Sequence, residues 1–215
     1  MSAIASGCEG WGWATTLLAD VVPNKNLIVP FRNALYYSDT ASIDTFLRQK
    51  NNYQYLEVGK AAIAAILIPC EVEQYLFDRS RFSGTDEHEN PKAGSLYALI
   101  WNALNKYPTA KELADDMPFT FITYNYYRSL EHYLYKVMEN FYCSQDEAFQ
   151  RIIYDNIFHV HGCLGEYRSN LQSNDNCRNY VGRLDEDHVK LAANQIKVIH
   201  EVKDLPSDKE IQQRL

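Results

Sequence analysis

The sequence contains no apolar run long enough to cross a membrane. A membrane helix needs roughly 18 apolar residues with few or no charges, and the best candidate, residues 61–69, is far shorter. No basic region precedes an apolar run near the N-terminus, as it would in a signal peptide. We therefore expect a cytoplasmic protein without a membrane partner.

Paired cysteines and basic clusters are also lacking. The five cysteines are an odd number and show no C-x-x-C spacing, which favours reduced thiols in the cytoplasm. The formal net charge is −7, and the lysines and arginines are dispersed along the chain. Binding to nucleic acid is therefore not expected.

No convincing glycine-rich phosphate loop is present. Gly7, Gly10 and Gly12 lie close together, but a loop that cradles phosphate should follow a hydrophobic strand and open a helix. Only six residues precede these glycines. Residues 1–35 are therefore predicted to be a poorly defined N-terminal segment.

Two apolar segments predict the centre of the fold. Residues 119–124 and 157–160 are rich in branched and aromatic side chains, and a helical pattern over residues 129–149 separates them. Strand, crossover helix and strand make a parallel unit, which predicts an α/β fold with a Rossmann-like sheet. A third strand is predicted over residues 196–200. Ligands of such sheets bind beyond the carboxyl ends of the strands, where Asn125 and His161 follow.

The rest of the chain is predicted to be largely helical. Ser42 can cap a helix, Pro69 should kink or end the next one, and Asp185 should begin a late helix. This pattern predicts a domain over residues 36–215 with a helical insertion over about residues 42–107.

Two motifs resemble those of a known family. The block F-x-T-x-N-Y-Y-R-S-L-E at residues 121–131 and the block H-V-H-G-C-L-G at residues 159–165 resemble blocks of the sirtuin-like (silent-information-regulator-type) domains of bacterial NAD-consuming defence proteins. Residues 42–47 and 57–64 are similar to a helical insertion of that group. The likeness extends over roughly residues 35–200.

The resemblance implies that the chain binds and cleaves NAD as a substrate, of the glycohydrolase type, in anti-phage defence. It implies Asn125 and His161 as catalytic residues, and Thr123, Asn125, His161 and Gly162 as residues that contact the nucleotide. An amide can position a water below the anomeric carbon, and an imidazole can accept a proton from that water or from a ribose hydroxyl.

The chain departs from the family pattern in two respects. Tyr127 stands where the family has Asp, and no G-A-G-x-S loop precedes Ser42. The chain also stops before the late strand of that family, so we expect a domain that lacks both ends and binds NAD weakly. The alternative is a catalytically inactive remnant that binds a partner protein, or a second copy, through its incomplete sheet.

Other interpretations of the same residues stay open. Asn125 could cap the helix that follows it. His159, His161 and Cys163 alternate along one strand face and could belong to a metal-dependent hydrolase, although no fourth ligand is evident and no metal is expected; His159 alone is interpreted as a core histidine bonded to the backbone. Arg128 and Glu131, three residues apart, are interpreted as a surface pair.

Overall fold

The computed structural model describes residues 11–77, 96–142, 147–167, 176–180, 184–198 and 201. Within these ranges the protein is mostly helical and has a small parallel sheet of two strands, which is compatible with an α/β fold. The elements in chain order are α1 (Trp11–Val21), α2 (Ile28–Tyr36), α3 (Ile43–Lys50), α4 (Tyr53–Leu67), α5 (Glu73–Phe77), α6 (Leu96–Leu104), α7 (Ala110–Asp115), β1 (Phe121–Thr123), α8 (Ser129–Tyr142), α9 (Glu147–Asn156), β2 (Ile157–His159) and α10 (Glu186–Gln195). None of these helices is both long and apolar enough to cross a membrane.

The two strands pair in parallel, as predicted. Phe121 lies opposite Ile157, and Thr123 lies opposite His159. The crossover between them differs from the single helix predicted over residues 129–149, because it contains α8 and α9 as separate helices. Each of these helices buries its own apolar face in a common core, with Leu134 from α8 and Ile152 from α9 fully buried.

The third predicted strand is not seen in its described part. Residues 196–198 follow α10 without forming a strand, and residues 199 and 200 lie outside the described residues. One backbone hydrogen bond links this segment to the β2 side of the sheet, where the Lys197 N–H donates to the His161 carbonyl at 2.8 Å. This bond and the burial of Ile196 and Val198 in the core hold the segment in place without continuing the sheet.

Local signals in the sequence set several helix ends correctly. The Ser42 hydroxyl accepts a hydrogen bond from the Thr45 N–H at the start of α3, and the Asp185 carboxylate does the same for His188 at the start of α10. Helix α4 ends at Leu67, and Pro69 follows in a 3-10 turn, Ile68–Cys70. These three predictions are confirmed.

The N-terminal segment differs from its prediction. Residues 1–10 lie outside the described residues, but residues 11–36 contain helices α1 and α2. Leu18 and Phe31 are fully buried in one core with α3, α4 and α10, and the Phe31 and Phe46 rings meet edge to face at 5.7 Å. Burial of apolar side chains therefore orders a segment whose glycines and tryptophans had given no helical pattern.

The buried residues form two clusters. The first joins α1–α4 and α10, and the second joins α6–α9 and β2. The helices predicted as an insertion are thus divided between the two clusters, with α3 and α4 in the first and α6 in the second. The boundaries of the domain and of its insertion stay a prediction.

Candidate functional site

The two motif segments lie side by side beyond the carboxyl ends of β1 and β2. The Val160 N–H donates to the Thr123 carbonyl at 2.9 Å, and the Leu164 N–H donates to the Tyr126 carbonyl at 3.0 Å. These bonds continue the contact between the segments past the last strand residues. Asn125 and His161, each two residues past its strand, are therefore carried to the same edge of the sheet.

Asn125 is an exposed residue, but its backbone N–H and its carbonyl both form hydrogen bonds. Its N–H donates to the Thr123 hydroxyl at 3.1 Å, and its carbonyl accepts from Nδ1 of His159 at 2.7 Å. Helix α8 begins only at Ser129. The N-cap position is therefore Arg128, whose N–H donates to the Glu71 carboxylate, and Asn125 lies three residues before it. The structure does not support the interpretation of Asn125 as a helix cap.

His161 lies beside the segment that carries Asn125. Its ring is 5.6 Å from the Tyr124 ring and 6.4 Å from the Tyr126 ring, centre to centre. Its Nδ1 atom is buried and has no hydrogen-bond partner among the described residues. A buried polar atom without a partner is uncommon, and the residue as a whole is only half-buried.

Backbone geometry explains the two glycines of the H-V-H-G-C-L-G block. Gly162 has a φ of +71°, and a Cβ atom there would lie 1.9 Å from the Gln195 carbonyl oxygen. Gly165 has a φ of +100°. Because glycine adopts such angles without strain, the backbone conformation explains both residues. The close approach of the Gln195 carbonyl is a second reason for glycine at position 162. The predicted nucleotide contact of Gly162 stays a prediction.

The other histidine of the block, His159, lies between a carbonyl and a carboxylate. Its Nε2 atom is 2.5 Å from Oε1 of Glu131, and both side chains are almost completely buried. Since the Asn125 carbonyl and the Glu131 carboxylate are both acceptors, bonding to both requires a proton on each ring nitrogen. Burial disfavours the charged ring, but the hydrogen bond and charge of Glu131 outweigh it and raise the pKa of His159.

The residues of the metal alternative do not form a metal site. Among the residues that the structure describes, no group of three or more His, Cys, Asp or Glu side chains could hold a metal ion. The Cys163 thiol points to the Gly165 carbonyl at 3.3 Å, and burial raises its pKa to about 12. Cys163 is therefore a neutral thiol at physiological pH.

The interpretation of Arg128 and Glu131 as a surface pair was wrong. Arg128 is fully buried and Glu131 nearly so. Glu131 bonds to His159, whereas Arg128 reaches Glu71, with its Nη2 atom 2.6 Å from Oε2 of that carboxylate. A spacing of three places both residues on one helical face, but it does not say whether that face meets solvent or the core.

A second arginine completes a buried charge cluster of Glu71, Arg128 and Arg178. Nη2 of Arg178 bonds to the same Glu71 oxygen, and its Nε donates to the Leu164 carbonyl at 2.9 Å. The cluster thus holds two guanidinium groups against one carboxylate. The charge of the neighbouring Arg128, after the larger effect of burial, lowers the pKa of Arg178, although an arginine so lowered remains charged at physiological pH.

The cluster fastens a segment without regular structure to the start of α8. Arg128 Nη1 donates to the Arg178 carbonyl at 2.5 Å, and its Nη2 donates to the Asn179 carbonyl at 2.9 Å. Sequence reasoning missed Arg178 because it stands in a polar, Asn- and Ser-rich stretch with no periodicity. The one available signal was the Arg of the 121–131 block, directly before a helix.

Two acidic residues, Asp44 and Glu201, act on Tyr126. Burial, followed by the charges of Asp44 and Glu201, raises the pKa of Tyr126. Lys60 pairs with Glu201 at 2.7 Å, so one of these two carboxylates is balanced locally.

Comparison with protein-family models, with curated proteins and with solved structures finds no match for this chain.

Proposed function

We propose that the chain is a sirtuin-like domain that binds NAD as a substrate and cleaves its glycosidic bond, with Asn125 and His161 at the reacting ribose. The observation that supports this most is that the segments carrying Asn125 and His161 lie side by side beyond the carboxyl ends of two parallel strands. This is the usual ligand position of α/β sheets. In this proposal β1 and β2 belong to a Rossmann-like sheet.

The chemistry requires little from the protein. Loss of nicotinamide leaves an oxocarbenium-like ribose, and water completes the hydrolysis. The imidazole of His161 accepts a proton from a ribose hydroxyl or from the attacking water, and the exposed amide of Asn125 positions that water. Thr123 contributes through its hydroxyl, which holds the Asn125 N–H at 3.1 Å, and Gly162 allows the turn that follows His161.

NAD affinity is expected to be low. The sequence contains no G-A-G-x-S loop, and backbone N–H groups of such a loop normally meet the charge of a pyrophosphate. The acidic groups near Tyr126 add repulsion. The nicotinamide ring of NAD is cationic, so the same groups favour that end of the substrate.

Nicotinamide release at millimolar NAD, followed by chromatography, tests the proposal. We expect release by the unaltered chain and a loss of about 100-fold or more in Asn125→Ala and in His161→Ala, since general acid–base groups contribute about 10²–10⁴-fold. Asn194→Ala and His188→Ala are matched controls on α10, where Asn194 is exposed and His188 pairs with Asp185. Equal rates in all four variants would refute the assignment of the two residues.

The exposed strand β1 favours a second candidate function, the binding of a partner through the sheet. Ile122 is 54% exposed and Tyr124 is 64% exposed, and Phe119 is partly exposed beside them. Within the described residues no strand pairs with the other edge of β1. An unpaired edge with apolar side chains recruits further strands, so a partner protein or a second copy would complete the sheet there.

Light scattering after gel filtration tests this second candidate. We expect self-association that Ile122→Lys abolishes, because an edge lysine opposes strand pairing. Lys197→Ala, at an exposed position on the β2 side of the sheet, is the control and should leave the mass unchanged. A monomer at every concentration would count against a self-completing sheet, and the edge would then have to bind a different protein.

A further inference from the structure

His159 bridges the two halves of the candidate site through its ring. Nδ1 donates to the Asn125 carbonyl at 2.7 Å, which places the ring directly behind the residue proposed to position water. Nε2 meets Glu131 at 2.5 Å, and Glu131 belongs to the first turn of α8. A helix, a strand end and the Asn125 backbone thus meet at one imidazole.

The ring can keep both bonds only when it is doubly protonated. The Asn125 carbonyl has no proton to give, and a carboxylate has none when ionised. A neutral imidazole carries one N–H group and must give up one of the two bonds. The state of the ring is therefore coupled to how firmly the Asn125 backbone is held.

We propose that doubly protonated His159 is a positioning residue, which holds the Asn125 backbone and thereby orients the Asn125 amide for its work at the ribose. The effect of His159 on NAD cleavage rests on the proposed function. The structural half of the proposal, that the His159 ring controls Asn125, can be measured whether or not the chain acts on NAD.

Few charged groups face the His159 ring. Glu131 from α8 favours the protonated ring, and Arg128, just before α8, opposes it. Tyr97 of α6, Cys163 and Tyr167 also interact with Glu131. Burial raises the pKa of all three groups, so they stay neutral at physiological pH. Between physiological and mildly alkaline pH, loss of the His159 ring proton is therefore the charge change that controls the bonds of this ring to Asn125 and Glu131.

The first experiment measures the coupling by NMR. The imidazole nitrogens of His159 and the backbone carbonyl carbon of Asn125 are followed as pH rises from 5.5 to about 9, a range that brackets the ordinary histidine pKa. We expect both to titrate with one midpoint above the ordinary value, and Glu131→Gln to move that midpoint down. An Asn125 carbonyl signal that ignores the His159 titration would overturn the proposal.

The second experiment measures nicotinamide release in two variants of one position. His159→Asn places an amide N–H near the Nδ1 position and carries no titrating group, whereas His159→Phe removes the donor. We expect His159→Phe to lower kcat by about 10²-fold with little change in KM, since small misplacements of reacting groups have effects of that size. His159→Asn should restore most of the kcat that His159→Phe loses. In the unaltered chain the rate should fall at high pH as the His159 ring loses its proton, and His159→Asn should not show this fall.

A buried histidine outside the site provides the control. His132 lies within hydrogen-bond distance of Tyr167 and Glu73, and it has no bond to Asn125. His132→Phe should leave the pH profile of NAD cleavage and the Asn125 carbonyl signal unchanged. If the unaltered chain releases no nicotinamide, the proposed function fails, and the NMR titration alone decides the positioning role. If the chain is active but His159→Phe and His159→Asn behave alike, the proposal is wrong.

Discussion

Arg128 and Glu71 form a salt bridge of 2.6 Å in which both side chains are completely buried. The two residues are 57 positions apart, so their contact joins the turn after α4 to the start of α8. Glu71 also meets Arg178, which fixes the 176–180 segment at the same point. The frame that positions the candidate site therefore depends on one buried carboxylate.

The buried carboxylate gives the first prediction. Glu71→Gln keeps the side-chain shape but leaves two guanidinium groups buried without a counter-charge, and we expect it to lower the free energy of unfolding by about 3–5 kcal/mol. Urea unfolding measures the change. Glu186→Gln is the matched control, because Glu186 is half exposed in an i,i+4 pair with Lys190 and such pairs contribute little. Equal effects of the two substitutions would contradict the account of the buried cluster.

The two buried histidines predict opposite dependences of stability on pH. The pKa of His159 is raised in the folded protein, so its contribution is fully present below the unfolded pKa of about 6.5 and is lost as pH rises through the higher folded value. The pKa of His132 is lowered, mainly by burial. The unfolded chain then binds the extra proton, and His132 destabilises the fold as pH falls below about 6.5.

Urea midpoints between pH 5 and pH 9 measure both contributions. Below the ordinary histidine pKa, His159→Asn should be less stable than the unaltered chain. Its urea midpoint should therefore fall less than that of the unaltered chain as pH rises to 9. His132→Asn should reduce the loss of stability at acid pH. Two variants with parallel pH curves would show that the histidine environments are not those described.

The turn after His161 gives a third prediction. Gly162→Ala forces a φ of +71° on a residue with a side chain and drives its Cβ against the Gln195 carbonyl. We therefore expect the free energy of unfolding to fall by at least about 1–3 kcal/mol. The control is Gly59→Ala in helix α4, where the three atoms nearest the added Cβ all belong to the Leu47 side chain, the closest at 2.8 Å. Alanine also favours a helix by about 1 kcal/mol, so this control should stay nearly neutral. Thermal melts of the two variants should differ clearly, and similar melting temperatures would refute the prediction.

Affinity for NAD gives a fourth prediction. Titration calorimetry with NAD should show binding that is weak or undetectable at micromolar protein, because the sequence contains no G-A-G-x-S loop whose N–H groups could meet the pyrophosphate. Micromolar affinity would contradict this expectation. Arg32, half exposed on α2, would then be the first cation to replace, with Arg48 on α3 as the exposed control.

Patterns within short stretches of sequence predicted the local structure well. The apolar segments around residues 121 and 157 pair in parallel, and Ser42 and Asp185 cap their helices. These features depend on hydrogen bonds and periodicity among near neighbours. The same patterns placed Asn125 and His161 at the ends of paired strands, which is as far as spacing alone can determine a site.

Long-range burial accounts for what the sequence did not reveal. Helix α1 depends on packing against α4 and α10, and its own residues show no clear amphipathic spacing. The Arg128–Glu131 spacing predicted a surface pair, yet partners at Glu71 and His159 drew both side chains inward. Contacts across 57 and 28 positions leave no trace in local periodicity, so a single sequence could not predict them.

Proton NMR of the unaltered chain mixed with millimolar NAD tests the central claim most directly. We expect free nicotinamide signals to grow with time while those of NAD decline, at a rate proportional to protein concentration. A thermal melt of the same sample establishes that the protein is folded. A folded sample whose NAD spectrum does not change over a day, relative to a protein-free blank, would contradict the claim that this site cleaves NAD.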